Sequence, residues 1–202
     1  MHSKTWMMSI AGAALLASAA SGDVPIVNPS FEEGPAEGAW TRVNAGADSI
    51  AGWTVVGGNI DHVGTLWQAS HGARSIDLSG DAAGAIAQTI ETVPGQEYLL
   101  TFALSGNWGG TDTKWLEVSA GPVVRQFGVD TSLNTGSSMH WRDESLAFTA
   151  DSSQTTLEFR SLTPGYFGPA IDDVRLATVP GPATLLGLAA GVIVSARRRR
   201  GR

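Results

Sequence analysis

The chain has 202 residues, with 13 Lys+Arg, 19 Asp+Glu and no cysteine, which excludes a disulfide framework and cysteine catalysis. One lysine and five arginines lie at the two ends, so the stretch between them carries seven basic and nineteen acidic residues, a net charge of −12. Such a surface repels phosphate backbones and argues against nucleic acid as a partner, whereas it suits divalent cations.

Residues 1–22 have the layout of a secretory signal peptide: Lys4, an apolar run from Ile10 to Ala20, then small residues. Ala17-Ser18-Ala19 and Ala20-Ser21-Gly22 each fit a cleavage site, and the run is short for a membrane span. A short buried helix is the alternative reading. Residues 23–178 then have the size of one domain, enough to bury roughly two-thirds of the unfolded surface.

This body reads as all-β. Period-two apolar positions bounded by Gly, Pro, Asn, Asp and Ser predict strands. The clearest are EYLLTFALSG (97–106), with Tyr98, Leu100, Phe102 and Leu104 on one face, and SLAFTA (145–150), TTLEFRSL (155–162) and AIDDVRLA (170–177). Further candidates cover 52–57, 59–65, 73–80, 84–92, 114–120 and 122–128. About ten short strands at this spacing predict a sandwich, with a jelly roll the natural form. Val93-Pro94-Gly95-Gln96 is a turn, since proline presets one φ and glycine accepts the positive one that follows. The longest loops are expected over 105–114 and 130–144.

Catalytic motifs are absent: no G-x-S-x-G, no H-E-x-x-H and no phosphate-binding glycine loop occurs. His62, His71 and His140 lack metal-ligand spacing. The acidic pairs Glu32-Glu33, Asp143-Glu144 and Asp172-Asp173 are neighbours in sequence, so within a regular strand they point to opposite faces. The expectation is a non-enzyme. DTSLNTGS (130–137) has oxygen side chains at alternate positions, but its glycine and its final residue break the calcium-loop pattern, which leaves a polar turn. NPSFEEG (28–34) and PAIDDV (169–174) instead place Glu32 and Asp172 near the two ends of the domain. They fit either a calcium clip completed by backbone carbonyls or a solvated acidic edge.

From Val179 to Ala196 no residue is charged, and the chain ends in an arginine cluster. The uninterrupted part, 183–196, makes a helix of about 21 Å, thin for a bilayer core of roughly 30 Å. It suits a transient hold in the inner membrane with the arginines on the cytoplasmic side; a permanent weak anchor is the alternative.

Val179-Pro180-Gly181-Pro182, the short apolar run and the basic end resemble a PEP-CTERM sorting signal, with Gly181 where that family usually has glutamate. The resemblance implies removal of the tail by an exosortase-type membrane protease and passage to the cell surface. NPSFEEG, AGWTVVGGNIDHVGTLWQASHGARSIDLSG, GAIAQTIETVPGQEYLLTFALSGN and GPAIDDVRL in turn resemble the choice-of-anchor C family of exported domains. That family is similar to galactose-binding-like jelly rolls, including carbohydrate-binding modules. The resemblance implies a structural Ca2+ on Glu32 and Asp172 with the Ser30 carbonyl, although His71 stands where a third, acidic ligand is usual.

Sugars stack on exposed aromatic faces, and the body holds six tryptophans. Trp53, at a strand start, reads as core, and Trp67 fits either role. Trp108 in NWGG and Trp141 in MHWRD fall in loops, where a large ring packs or binds, and they are the candidate ligand contacts. The expected protein is thus an exported, surface-sorted, non-catalytic β-sandwich that binds extracellular polysaccharide or cell-wall glycan. The alternatives are a matrix or surface-layer component associating through divalent ions, and a glycan hydrolase.

Overall fold

The computed structural model describes residues 22–180. The signal-peptide segment up to residue 21, the membrane run and the Gly181-Pro182 half of the sorting motif lie outside the described residues. Twelve strands follow one another: β1 (Asp23–Val24), β2 (Trp40–Asn44), β3 (Thr54–Gly57), β4 (Asn59–Val63), β5 (Ser75–Asp77), β6 (Ala85–Glu91), β7 (Glu97–Gly106), β8 (Thr113–Ala120), β9 (Val123–Asp130), β10 (Arg142–Thr149), β11 (Gln154–Ser161) and β12 (Pro169–Thr178). They form two antiparallel sheets. One runs β10-β7-β12-β5-β4-β2, with β1 added on β12, and the other runs β3-β6-β11-β8-β9. Two packed sheets whose neighbours are mostly distant in sequence make the jelly-roll sandwich that the strand spacing predicts.

Alternation decides what the sandwich buries. Tyr98, Leu100, Phe102 and Leu104 of β7 face Leu116 and Val118 of β8 and Leu157 and Phe159 of β11 across one continuous core. A chain of rings crosses it: Phe31–Trp53 at 5.2 Å, Trp53–Phe159 at 6.0 Å, Phe159–Phe102 at 5.2 Å and Phe102–Phe127 at 5.3 Å between centroids. These tilted and edge-on contacts add to the burial itself. Trp53 is core, as its place in the sequence predicts. Phe31 reaches the core from a tight turn in which its own N–H donates to the Asn28 carbonyl at 3.1 Å, with φ of 51° at Asn28 and 57° at Phe31.

Strand β2 is not predicted by the sequence, and three expectations need correction. The strand Trp40–Asn44 carries one buried apolar side chain, Val43, so it has no alternating pattern to read. The 130–144 loop is shorter than expected, covering 131–141, because the polar residues Arg142 to Ser145 continue β10 along β7. The 105–114 loop likewise narrows to 107–112. In β12 the register shifts between Asp172 and Arg175, and Asp173 takes φ 48°, so this acidic pair does not follow the simple alternation.

Candidate functional site

Val43, Ile60, Ile76 and Ile171 point into the sandwich core, so their neighbours Arg42, Asp61, Asp77 and Asp172 face outward on the larger sheet. The middle of that outer face is not open. The connections after β4 and β9 fold across it and build a second small core from Val63, Trp67, Met139 and Ala170, against which Leu66 and Trp141 pack. Trp67 Nε1 donates to Ser75 Oγ at 2.8 Å. Beyond this cover, at the β2–β4 edge, a groove of about 290 Å3 opens.

Its walls are aromatic. Trp40 of β2 is 44% exposed and Trp108 is 41% exposed, and Tyr166 and Phe167 reach in from the connection before β12. Trp108 meets Trp67 edge-on at 5.9 Å between centroids, which fixes its ring at the border between cover and groove. The floor is charged. Arg42 and Asp61 are cross-strand partners, with Nε donating to Oδ1 at 2.9 Å and Nη2 to Oδ2 at 3.3 Å. Arg42 Nη1 also donates to Asp81, and the guanidinium lies 5.2 Å from the Trp40 ring centre. Hydrogen bonding to Asp61 pushes the Arg42 pKa up, so this group stays charged. Gly80 makes room for it, since a Cβ there would stand 2.7 Å from Arg42 Nε.

The loop that carries Trp108 is tied from beneath. Asn107 Nδ2 donates to Asp77 Oδ2 at 3.0 Å, and Asn107 Oδ1 accepts from Gly109 N at 3.0 Å. Asp77 Oδ1 accepts from the backbone N–H groups of Ser79 and Gly168, each at 3.0 Å. One buried carboxylate therefore fastens three connections around the groove. Burial pushes its pKa up to about 7, opposed by these hydrogen bonds. Gly109 completes the arrangement, because a Cβ there would be 2.6 Å from the Phe167 ring.

The residues expected to hold calcium converge elsewhere, on the loop Ser70 to Arg74. Asp172 Oδ2 accepts from the N–H groups of Ser70 (2.8 Å) and His71 (2.9 Å), and Oδ1 from that of Asp173 (2.7 Å). Glu32 Oε1 accepts from the N–H groups of Ala73 (2.8 Å) and Arg74 (2.9 Å). Ser30 Oγ lies 3.0 Å from His71 Nδ1. Burial pushes Asp172 up to about 7, and its hydrogen-bond partners are all backbone N–H groups. A cation would offset that desolvation, but it would have to share oxygens that already accept five backbone N–H groups. Among the described residues no three His, Cys, Asp or Glu side chains are grouped to hold a metal, so carbonyl oxygens would have to supply the remainder.

Of the two loop tryptophans singled out from the sequence, the structure brings Trp108 to the groove. Trp141 is half-buried against the second core and donates from Nε1 to the Gln68 carbonyl at 2.8 Å, away from the groove lining. Trp40, Arg42, Asp61, Tyr166 and Phe167 escaped the sequence reading. Two adjacent aromatics between glycines in Gly165-Tyr166-Phe167-Gly168 were the one available signal. Val179 of the sorting motif still touches the domain: its N–H donates to the Glu97 carbonyl at 2.8 Å, and its carbonyl accepts from Gln96 Nε2 at 2.8 Å.

The two-sheet jelly roll is similar in fold to solved carbohydrate-binding modules. The CBM22-1 xylan-binding domain from Paenibacillus barcinonensis Xyn10C superimposes with a TM-score of 0.51 at 16% identity, covering 82% of this chain and 100% of that one. A family 35 carbohydrate binding module from Clostridium thermocellum aligns with a TM-score of 0.47 at 12% identity, over 67% of this chain and 97% of that one. By sequence, residues 24–177 match the family described as "Protein of unknown function (DUF642)", and the chain belongs to that family. It is also similar to Halomucin from Haloquadratum walsbyi, 31% identical over an alignment of 182 residues that covers 86% of this chain. The chain spans about 2% of that relative's length.

Proposed function

We propose that the protein is an exported, non-catalytic glycan-binding module and that the groove between Trp40, Trp108 and Phe167 is its sugar site. The carrying observation is the convergence of four exposed aromatic side chains over an Arg42–Asp61 floor. Flat apolar rings accept the CH faces of sugar rings, while a carboxylate and a guanidinium side by side accept from and donate to neighbouring hydroxyls. The xylan-binding description of the similar jelly roll supports a polysaccharide as the ligand class. Hydrolysis is disfavoured by access: Asp77 and Asp172, the carboxyls that burial pushes up to about 7, are both shut away from solvent.

Around this core reading stand the expectations for the chain ends. Residues 1–22 direct export, and the tail from Val179 is a PEP-CTERM-like signal inserted briefly in the inner membrane and removed by an exosortase-type protease. The body, of the choice-of-anchor C type, is then left at the cell surface or outside the cell. A structural Ca2+ on Glu32, Asp172 and the Ser30 carbonyl fastens the 70–74 loop. The net charge of −12 favours a second reading, a matrix component that associates through divalent ions.

Co-sedimentation with insoluble polysaccharides, with and without calcium, tests both. Saturable pelleting that soluble fragments compete away, and that Trp40→Ala and Trp108→Ala weaken, supports the sugar site. Calcium-dependent self-association without any sugar dependence supports the matrix reading and sinks the first.

A further inference from the structure

Lys114, the second residue of β8, faces inward in register with Leu116, Val118 and Ala120, and its exposure is 0%. A lysine so placed needs fixed partners for its ammonium. The stem runs past Gly106, where a Cβ would stand 2.8 Å from Lys114 Cγ, and past Thr131, which closes around the same Gly106 position. At the tip, Nζ donates to the Thr111 carbonyl at 2.5 Å and to the Gly109 carbonyl. Asp77 and Asp112 are its acidic neighbours, and they oppose the lowering of its pKa that burial imposes. Carbonyl oxygens with carboxylates close by are the surroundings that a bound metal cation takes in other loops. Here a side chain of the chain itself occupies them.

The connection 107–112 is therefore gripped from two directions. Asp77 holds its first residue through Asn107, and Lys114 holds Gly109 and Thr111. Trp108 lies between these grips, and Phe167 rests on Gly109. Both hydrogen bonds from Nζ go to this one connection, and neither goes to a strand. We propose that Lys114 is the positioning residue of the groove, a built-in cation that holds Trp108 and Phe167 in place before any ligand arrives. The inference rests on the groove being the sugar site, but its structural half can be measured without sugar.

The protein is labelled with 5-fluorotryptophan, and the fluorine resonances of Trp108 and Trp53 are assigned with Trp108→Phe and Trp53→Phe. Lys114→Met keeps the length of the stem and removes the charge. It is expected to shift or broaden the Trp108 resonance, leave that of Trp53 unchanged, and weaken retention on the polysaccharide that the wild type pellets with by tenfold or more. Because the chain lacks cysteine, Lys114→Cys introduces a unique thiol. Aminoethylation of that thiol in denaturant, followed by refolding, rebuilds a lysine-like ammonium and is expected to restore both readouts to within twofold of refolded wild type. Carbamidomethylation, which adds no charge, is expected to restore neither. EDTA leaves the Trp108 resonance in place, since this cation is covalently part of the chain.

The proposal is overturned if Lys114→Met leaves the Trp108 resonance unmoved, or if EDTA moves it in the wild type. It is equally overturned if Trp53 shifts together with Trp108, which makes Lys114 a determinant of the whole fold. Failure of the wild type to pellet with any polysaccharide removes the sugar reading alone, and the fluorine spectra still decide whether Lys114 positions the loop.

Discussion

His62→Phe removes two hydrogen bonds from a site with no access to water while keeping a flat aromatic ring in place. In the wild type the imidazole is fully buried, with Nε2 2.7 Å from the Phe31 carbonyl and Nδ1 accepting from Ala36 N at 2.9 Å. That pairing requires the proton on Nε2, so the ring is neutral, and burial lowers its pKa. Phenylalanine leaves a buried N–H and a buried carbonyl unpaired, each costing about 1–3 kcal/mol. The sum is about 4 kcal/mol, which for a domain of this size lowers Tm by about 8–16 °C. Urea melts between pH 5 and 8 supply the assay. A depressed folded pKa gives stability that is complete above the unfolded value, about 6.5, and is lost as pH falls through the folded one. The gap between wild type and variant is therefore largest near pH 7.5 and narrows toward pH 5. Asp77 and Asp172 titrate in both proteins and cancel in the difference. A gap under about 1 kcal/mol at pH 7.5, or one that does not change with pH, refutes the reasoning.

Trp40→Ala is expected to weaken glycan retention about thirtyfold, as for a ligand hot spot of roughly 2 kcal/mol. Its melting temperature should fall little, since the ring stands on an edge strand and packs chiefly over Arg42; unchanged retention removes Trp40 from the site. Gly72→Ala places a side chain at φ +68° with its Cβ 2.3 Å from Glu32 Oε1, so a loss of about 2–3 kcal/mol is expected from left-handed strain and displaced hydrogen bonds, and wild-type stability in a urea melt would contradict it. Asp77→Asn flattens the stability profile between about pH 4 and 7. The raised folded pKa of Asp77, about 7, means that its contribution is complete at low pH and is lost as pH rises through that value; an unchanged profile counts against it. Added calcium should raise Tm, EDTA should reverse the gain, and Asp172→Asn should abolish it. A Tm indifferent to calcium dismisses the metal.

What the sequence disclosed follows from how each part is encoded. β11 buries every second side chain along its whole length, and β7, β10 and β12 do so over part of theirs (98–102, 146–148 and 172–176), so alternation exposes them. β2 is an edge strand with one inward apolar side chain, and nothing in Trp-Thr-Arg-Val-Asn marks it as a strand until β4 lies beside it. The groove is harder still. Trp40, Arg42, Asp61, Trp108 and Phe167 come from four separate stretches of chain, and sheet order, which is not written in any local pattern, brings them together. Trp108 and Trp141 looked alike as loop aromatics. Folding of the β4 and β9 connections over the larger sheet separates them, because it gives Trp141 a packing partner and leaves half of Trp108 uncovered.

The pairing of β1 with the end of β12 brings the two ends of the domain together. Gly22 donates to Thr178 Oγ1 at 2.9 Å, so the chain enters and leaves at a single point. That point is the far end of β12, which begins next to Phe167 and runs ten residues away from it, a span of about 30 Å at 3.3 Å per residue. Whatever the domain is attached to, the aromatic groove is held at arm's length from the attachment. Pulling on both ends loads two-residue β1 first, so its two pairs with β12 open like a clasp before tension reaches the sandwich behind them.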